Sequence, residues 1–173
     1  MRSLNKKDPL PTAIRTMLIE LSRDILSFER GAYLGIDPEH LHRMRSNVKR
    51  LRAALMLMGD HTRVKNRQTL IRRLTWFGDT AGSTRDSDVM LQMSLQTMPE
   101  NLTPEERPGL ESLQRLIMKD KEERMGLLRQ AFDSKKWKEL KLDLQRFASN
   151  SPEAWLKKKA KKSLTVRAVF REA

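Results

Sequence analysis

The stretch HLHRMRSNVKRLR, His40 to Arg52, sets a row of cations beside a row of apolar residues at helical spacing. His42, Arg45, Lys49 and Arg52 recur at intervals of three and four, so on an α-helix they fall within roughly an 80° sector. Leu41, Met44, Val48, Leu51, Leu55 and Met58 repeat one position earlier and form the seam by which that helix packs. The cations therefore flank the seam. Like charges on adjacent turns repel by some tenths of a kcal/mol per pair, and no carboxylate lies within the stretch to offset them. A bound polyanion would.

Composition narrows the classes of partner. The chain has 173 residues, 35 Lys+Arg against 22 Asp+Glu, a formal charge of +13 and no cysteine. That length suits one helical domain, 1–173, with enough apolar residues for a core. The basic excess points to a polyanionic partner. Without cysteine there is no disulfide framework, no thiolate nucleophile and no Cys/His zinc site, which argues for a reducing compartment. The N-terminal MRSLNKKDPLP lacks an apolar signal region, and no apolar run approaches the ~20 residues that span a bilayer. The expectation is a soluble cytoplasmic protein that does not enter a membrane.

Helix starts are clearly marked. Asp37-Pro38-Glu39, Thr103-Pro104-Glu105-Glu106 and Ser151-Pro152-Glu153 each offer an N-cap, a proline at N1 and acid in the first turn. The first helix, about Pro11 to Leu34, carries Ile14, Leu18, Leu21, Ile25, Phe28 and Ala32, and Gly31 and Gly35 loosen its end. The second runs from about Pro38 to Met58, and a third from about Val64 to Ala81 turns Leu70, Leu74 and Phe77 inward. Gly82 breaks it, and Ser83 or Thr84 caps a fourth that extends to about Met98. The fifth, about Pro104 to Phe132, has a charged centre, KDKEER, that reads as solvent-exposed, flanked by Leu113, Ile117, Met125 and Leu128. Asp133-Ser134 starts a sixth, and Pro152 a seventh. The reading is all-α, with about seven helices and no division.

Charge is uneven along these elements. From His40 to Arg73 there are ten Lys/Arg, all three histidines and one acid, Asp60; from Lys157 to Arg171 there are seven Lys/Arg and no acid. The 42/45/49/52 row has an ordinary reading as a solvated basic face. Against it, four cations along ~15 Å of helix axis, with Arg50 beside them, can follow successive phosphates. An imidazole at His42 would join them when charged, which a neighbouring polyanion favours. In Gly82-Ser83-Thr84-Arg85-Asp86-Ser87-Asp88, a glycine stop, hydroxyl cap and dipole-matching acids account for every residue except Arg85. The functional reading gives Arg85 an anion and pairs Asp86 or Asp88 with a cation of the second helix. Two carboxylates make a weak Mg²⁺ signal, so no protein-held metal and no cofactor is expected. Lys157 to Lys162 is either a solvated face or an extension of the anion surface. No nucleophile elbow, P-loop or His-Glu-x-x-His pair is present, and His40 and His61 lack an acid partner at helical spacing, so no catalytic residue is expected.

Leu41-His42-x-x-Arg45-x-x-x-Lys49-Arg50-Leu51-Arg52-Ala53-Ala54-Leu55, followed by Trp76-Phe77 and Gly82-x-x-Arg85-Asp86-x-Asp88-Val89, resembles the CHAD family, the conserved histidine α-helical domain. The resemblance implies antiparallel four-helix bundles whose basic surface binds inorganic polyphosphate without catalysis, and an association with polyphosphate granules. It also implies a frequent companion, a triphosphate-handling CYTH domain, of which this chain shows nothing. Residue by residue it points to His42, Arg45, Lys49, Arg50, Arg52 and Arg85 as anion contacts; Arg72 and Arg73 are added from their position. Such domains resemble two related bundles, and one His-x-x-Arg helix is present here. The expectation is therefore half of a pseudo-symmetric domain: a fragment, or a half that forms a homodimer to complete the groove. Thr75 stands where the family often has a basic residue, and Ser46 where it often has an apolar one.

The alternative function is a helical nucleic-acid binder that uses the same cations on a phosphodiester backbone. The basic row has no aromatics to stack on bases and no Asn/Gln reading pattern. A phosphoryl-transfer enzyme ranks last, because no carboxylate cluster or P-loop is available for metal or nucleotide.

Overall fold

The Asp37 carboxylate accepts the Glu39 backbone N–H at 2.8 Å, the N-cap bond that Asp-Pro-Glu anticipates. Ser134 does the same for the Trp137 N–H at 3.1 Å. The computed structural model describes residues 10–57, 64–96 and 103–149. Within them lie five helices: α1 (Leu10–Leu34), α2 (Pro38–Leu57), α3 (Arg67–Gln96), α4 (Arg107–Asp133) and α5 (Lys135–Ala148). Gly35 closes α1 at φ +69°, a left-handed conformation suited to glycine, and its N–H donates to the Gly31 carbonyl.

The register of contacts makes neighbours antiparallel. Arg52 reaches Thr75, Val48 lies against Gly78 and Arg45 against Gly82, so α2 and α3 run in opposite directions. Thr84 meets Arg124, Ser87 meets Asp120 and Ser94 meets Gln114, so α3 and α4 do too. α5 returns along α1, with Arg23 donating to the Ala148 carbonyl and Glu29 bonded to Trp137 and Lys141. Thus α1, α2, α3 and α5 close a four-helix ring, and α4 packs on the second half of α3.

The apolar seams meet inside this ring. Leu18, Leu21 and Ile25 of α1, Met44, Val48, Leu51 and Leu55 of α2, and Leu70, Leu74 and Phe77 of α3 are buried together. The C-terminal end of α4 adds Leu128 and Phe132, and α5 adds Trp137, Leu140 and Leu144. Phe77 and Trp137 lie 4.5 Å apart between ring centroids, with Phe132 edge-on to Trp137 at 5.0 Å, spacings at which aromatic pairs attract beyond their buried area.

Four expectations are corrected. The third and fourth helices are one: α3 passes through Gly82 without a break. Ser83 and Thr84, the hydroxyls expected to cap a new helix, turn back instead onto the Thr80 carbonyl three and four residues earlier, and Ser87 does the same onto Ser83. α3 begins at Arg67 rather than near Val64, after Asn66 at φ 55°. α4 begins at Arg107, because Thr103 and Glu106 bond each other around a preceding turn, and Pro108 lies in the first helical turn. The charged centre of α4 is only half exposed, since Asp120, Lys121 and Arg124 face α3. About seven helices therefore become five among the described residues; Ser151-Pro152-Glu153, the seventh helix, Met58, His61 and the Lys157–Lys162 cluster lie outside them.

Candidate anion-binding cleft

Antiparallel packing of α2 on α3 would bury both helices along their line of contact, but α3 offers Gly78 and Gly82 one turn apart on the face toward α2. A furrow results. It measures about 430 Å³ and is walled by Arg45, Lys49 and Arg52 of α2 and by Gly78, Asp79, Gly82, Ser83 and Asp86 of α3, with Val48 and Leu74 at its base.

Three of the expected cations are thus brought together. Arg45 is half-buried, and a methyl group at Gly82 would stand 3.3 Å from both its Nε and Nη2, so the guanidinium rests against the α3 backbone. Its Nε is fully buried and has no hydrogen-bond partner. An unpaired buried donor costs about 1–3 kcal/mol, tolerated here on a group whose charge borders an open cleft. Arg52 donates from Nη1 to Thr75 Oγ1 at 3.4 Å. Thr75 thereby orients a cleft cation. Neither Arg45 nor Lys49 forms an ion pair among the described residues.

The other expected residues lie elsewhere. His42 and Arg50 line a second depression, on the α1 side of α2, with Asp24, Phe28, Glu39, Arg43, Ser46 and Asn47. There the Arg43 side chain bonds Glu39 at 2.9 Å and holds the Glu39 carboxyl below the usual range, and Arg50 donates to Asn47 Oδ1 at 3.4 Å. Arg72 is exposed and donates to Thr69. Arg73 is bound to α5: it pairs with Glu139 and, at 2.7 Å, with Asp143. Arg85 is half-buried within α3 and has no helix N-terminus beside it, because the helix is continuous. The expected pairing of Asp86 or Asp88 with α2 is corrected as well. Asp88 is buried and pairs with Lys121 of α4 at 2.9 Å, and Asp86 lines the cleft without an ion pair among the described residues.

Sequence reasoning missed Gly78, Asp79, Gly82 and Ser83 as cleft walls. The signal is present in Gly78-x-x-x-Gly82, a bare stripe on one helical face, which a reading of Gly82 as a helix stop passes over. His40 has a structural place: its ring packs on Gly31 and lies 6.0 Å from the Phe28 centroid. No group of three or more His, Cys, Asp or Glu that could hold a metal occurs among the described residues, and no described helix is long and apolar enough to cross a membrane.

The sequence profile of the CHAD domain matches residues 16–173. The chain belongs to the CHAD family. A CHAD domain crystal structure from the plant Ricinus communis is similar over 87% of this chain, with a TM-score of 0.69 and 29% identity. This CHAD chain spans 50% of that structure's length. No curated protein matches it significantly. The His-x-x-Arg helix and the Gly82-x-x-Arg85-Asp86 segment lie on the two helices that form the α2–α3 cleft.

Proposed function

We propose that this CHAD-family chain is a non-catalytic binding module for inorganic polyphosphate, which lies along the α2–α3 cleft on Arg45, Lys49 and Arg52. The observation that carries this reading is that Arg45, Lys49 and Arg52 share one cleft without an ion pair among the described residues, while Arg73 against α5 and Lys121 against α3 are paired with carboxylates. Arg45 to Arg52 covers about 10 Å of helix axis, enough for several consecutive phosphates, and a linear polymer of dense charge gains from each cation in turn. His42 and Arg50, on the α1 flank, take a second strand or the continuation of a long one. Arg85 and Arg72 contribute to the surrounding positive field, and Arg73 supports the bundle. The family resemblance supports polyphosphate as the polyanion, and the absence of base-stacking aromatics from the cleft lining weighs against nucleic acid.

The test is competition. Labelled long-chain polyphosphate should bind at moderate salt, loosen steeply as salt rises, and remain bound when duplex or single-stranded nucleic acid is added at equal phosphate concentration. Displacement by nucleic acid would transfer the site to that ligand. Phosphate release from polyphosphate with Mg²⁺ would overturn the non-catalytic part.

A further inference from the structure

Gly78 and Gly82 are equivalent by sequence spacing and unlike in space. A methyl group at Gly78 would meet Val48 Cγ1 at 3.7 Å, an ordinary contact, whereas one at Gly82 would press on the Arg45 guanidinium at 3.3 Å through two of its nitrogens. A glycine in a helix interior lowers helix propensity relative to alanine, so neither position is occupied by glycine for the sake of α3 itself. The Arg45 Nε is sealed and unpaired, and of that side chain's nitrogens it alone is so. The guanidinium is therefore held by shape rather than by a carboxylate, and its charge stays available to the cleft.

The geometry points to Gly82 as a positioning residue for anion binding: its bare Cα is the seat that holds the Arg45 guanidinium in the wall of the α2–α3 cleft. This deepens, and rests on, the reading of that cleft as a polyphosphate site. An alanine at 82 presses on the end of a flexible side chain rather than on backbone, so the chain folds and the guanidinium is pushed a few tenths of an ångström off its seat. Stability and binding then move apart: the helix gains propensity while the site loses an aligned cation. A purely structural role for Gly82 would move both down together.

The experiment compares the parent with Gly82→Ala, Gly126→Ala, Arg45→Ala and the Gly82→Ala/Arg45→Ala pair in binding to long-chain sodium polyphosphate; Gly126 lies in α4 outside the cleft, with open space where a methyl group would stand. Gly82→Ala is expected to bind about tenfold more weakly while melting no lower than the parent, and Gly126→Ala to bind within about twofold of it. In the Arg45→Ala background the Gly82→Ala change should alter affinity by less than about twofold, because the group it displaces is gone. Parent-like binding by Gly82→Ala, an equal loss in Gly126→Ala, or an undiminished loss in the Arg45→Ala background would overturn the proposal. A ligand-free readout separates it from the polyphosphate reading: the Arg45 Nε–H should exchange slowly with solvent in the parent and quickly in Gly82→Ala. Slow exchange with no polyphosphate binding by the parent would support the seat and refute that reading; equal exchange in the two proteins would refute the seat.

Discussion

The two halves of α3 handle charge in opposite ways. Along the second half, against α4, cations and carboxylates neutralise each other: Lys121 pairs with the buried Asp88, and Arg124 bonds Asp120, which also accepts from Ser87 at 2.5 Å. Along the first half, the face toward α5 is equally settled, with Arg73 between Glu139 and Asp143. The face toward α2 is not. Arg45 and Lys49 stand there without ion pairs among the described residues, and the carboxylates that share their cleft, Asp79 and Asp86, do not close on them. A count of basic residues cannot separate these regions, and the partners do. Paired cations hold helices together, and unpaired ones are available to a ligand.

The largest effect should come from removing the unpaired set. Replacing Arg45, Lys49 and Arg52 together by alanine is expected to weaken polyphosphate binding by more than about 100-fold with unchanged helicity by circular dichroism. The equivalent change on the paired side should do the reverse. Lys121→Ala leaves the Asp88 carboxylate buried without its counter-ion and should cost about 1–3 kcal/mol in urea unfolding, with polyphosphate affinity as in the parent. If Lys121→Ala instead impairs binding at full stability, the two regions are not distinct.

Smaller effects refine the contrast. Asp79 and Asp86 line the cleft and repel a polyanion, so Asp79→Asn/Asp86→Asn should bind polyphosphate a few-fold more tightly, an effect that fades at high salt. Least, and confined to the α3–α4 side, is a pH effect. Hydrogen bonds from Arg124, then Ser87, hold the Asp120 carboxyl below the usual carboxylate range. A depressed folded-state pKa contributes stability that is present above the unfolded value, near 3.9, and is lost as pH falls through the folded one. Asp120→Asn should therefore flatten the acid side of the stability profile, measured by urea midpoints below about pH 5.

What could be read from the sequence was what depends on near neighbours. The α2 seam, Leu41, Met44, Val48, Leu51 and Leu55, is buried as its three-and-four spacing requires, and Asp37 and Ser134 cap the helices they were expected to start. The continuity of α3 was not legible. A glycine followed by Ser-Thr and spaced acids has the local chemistry of a helix end, and only packing against α4 decides otherwise, by giving Thr84, Ser87 and Asp88 partners 33 to 40 residues away. Arg73 teaches the same lesson about the site. Its place in a basic segment made it an anion candidate, while its two carboxylates lie 66 and 70 residues further along. Local spacing set Arg45, Lys49 and Arg52 in one row, as they stand along the cleft, and tertiary structure was needed to set His42 and Arg50 on the other flank of the helix.

The central claim is that unpaired cations on the α2–α3 face, and not basic residues at large, take up the polymer. It is tested most directly by following the arginine and lysine side-chain NMR signals during titration with long-chain polyphosphate. The account predicts that Arg45, Lys49 and Arg52 shift early and saturate together while Arg73, Lys121 and Arg124 stay in place. Shifts spread evenly over both groups, or confined to the paired one, would contradict it.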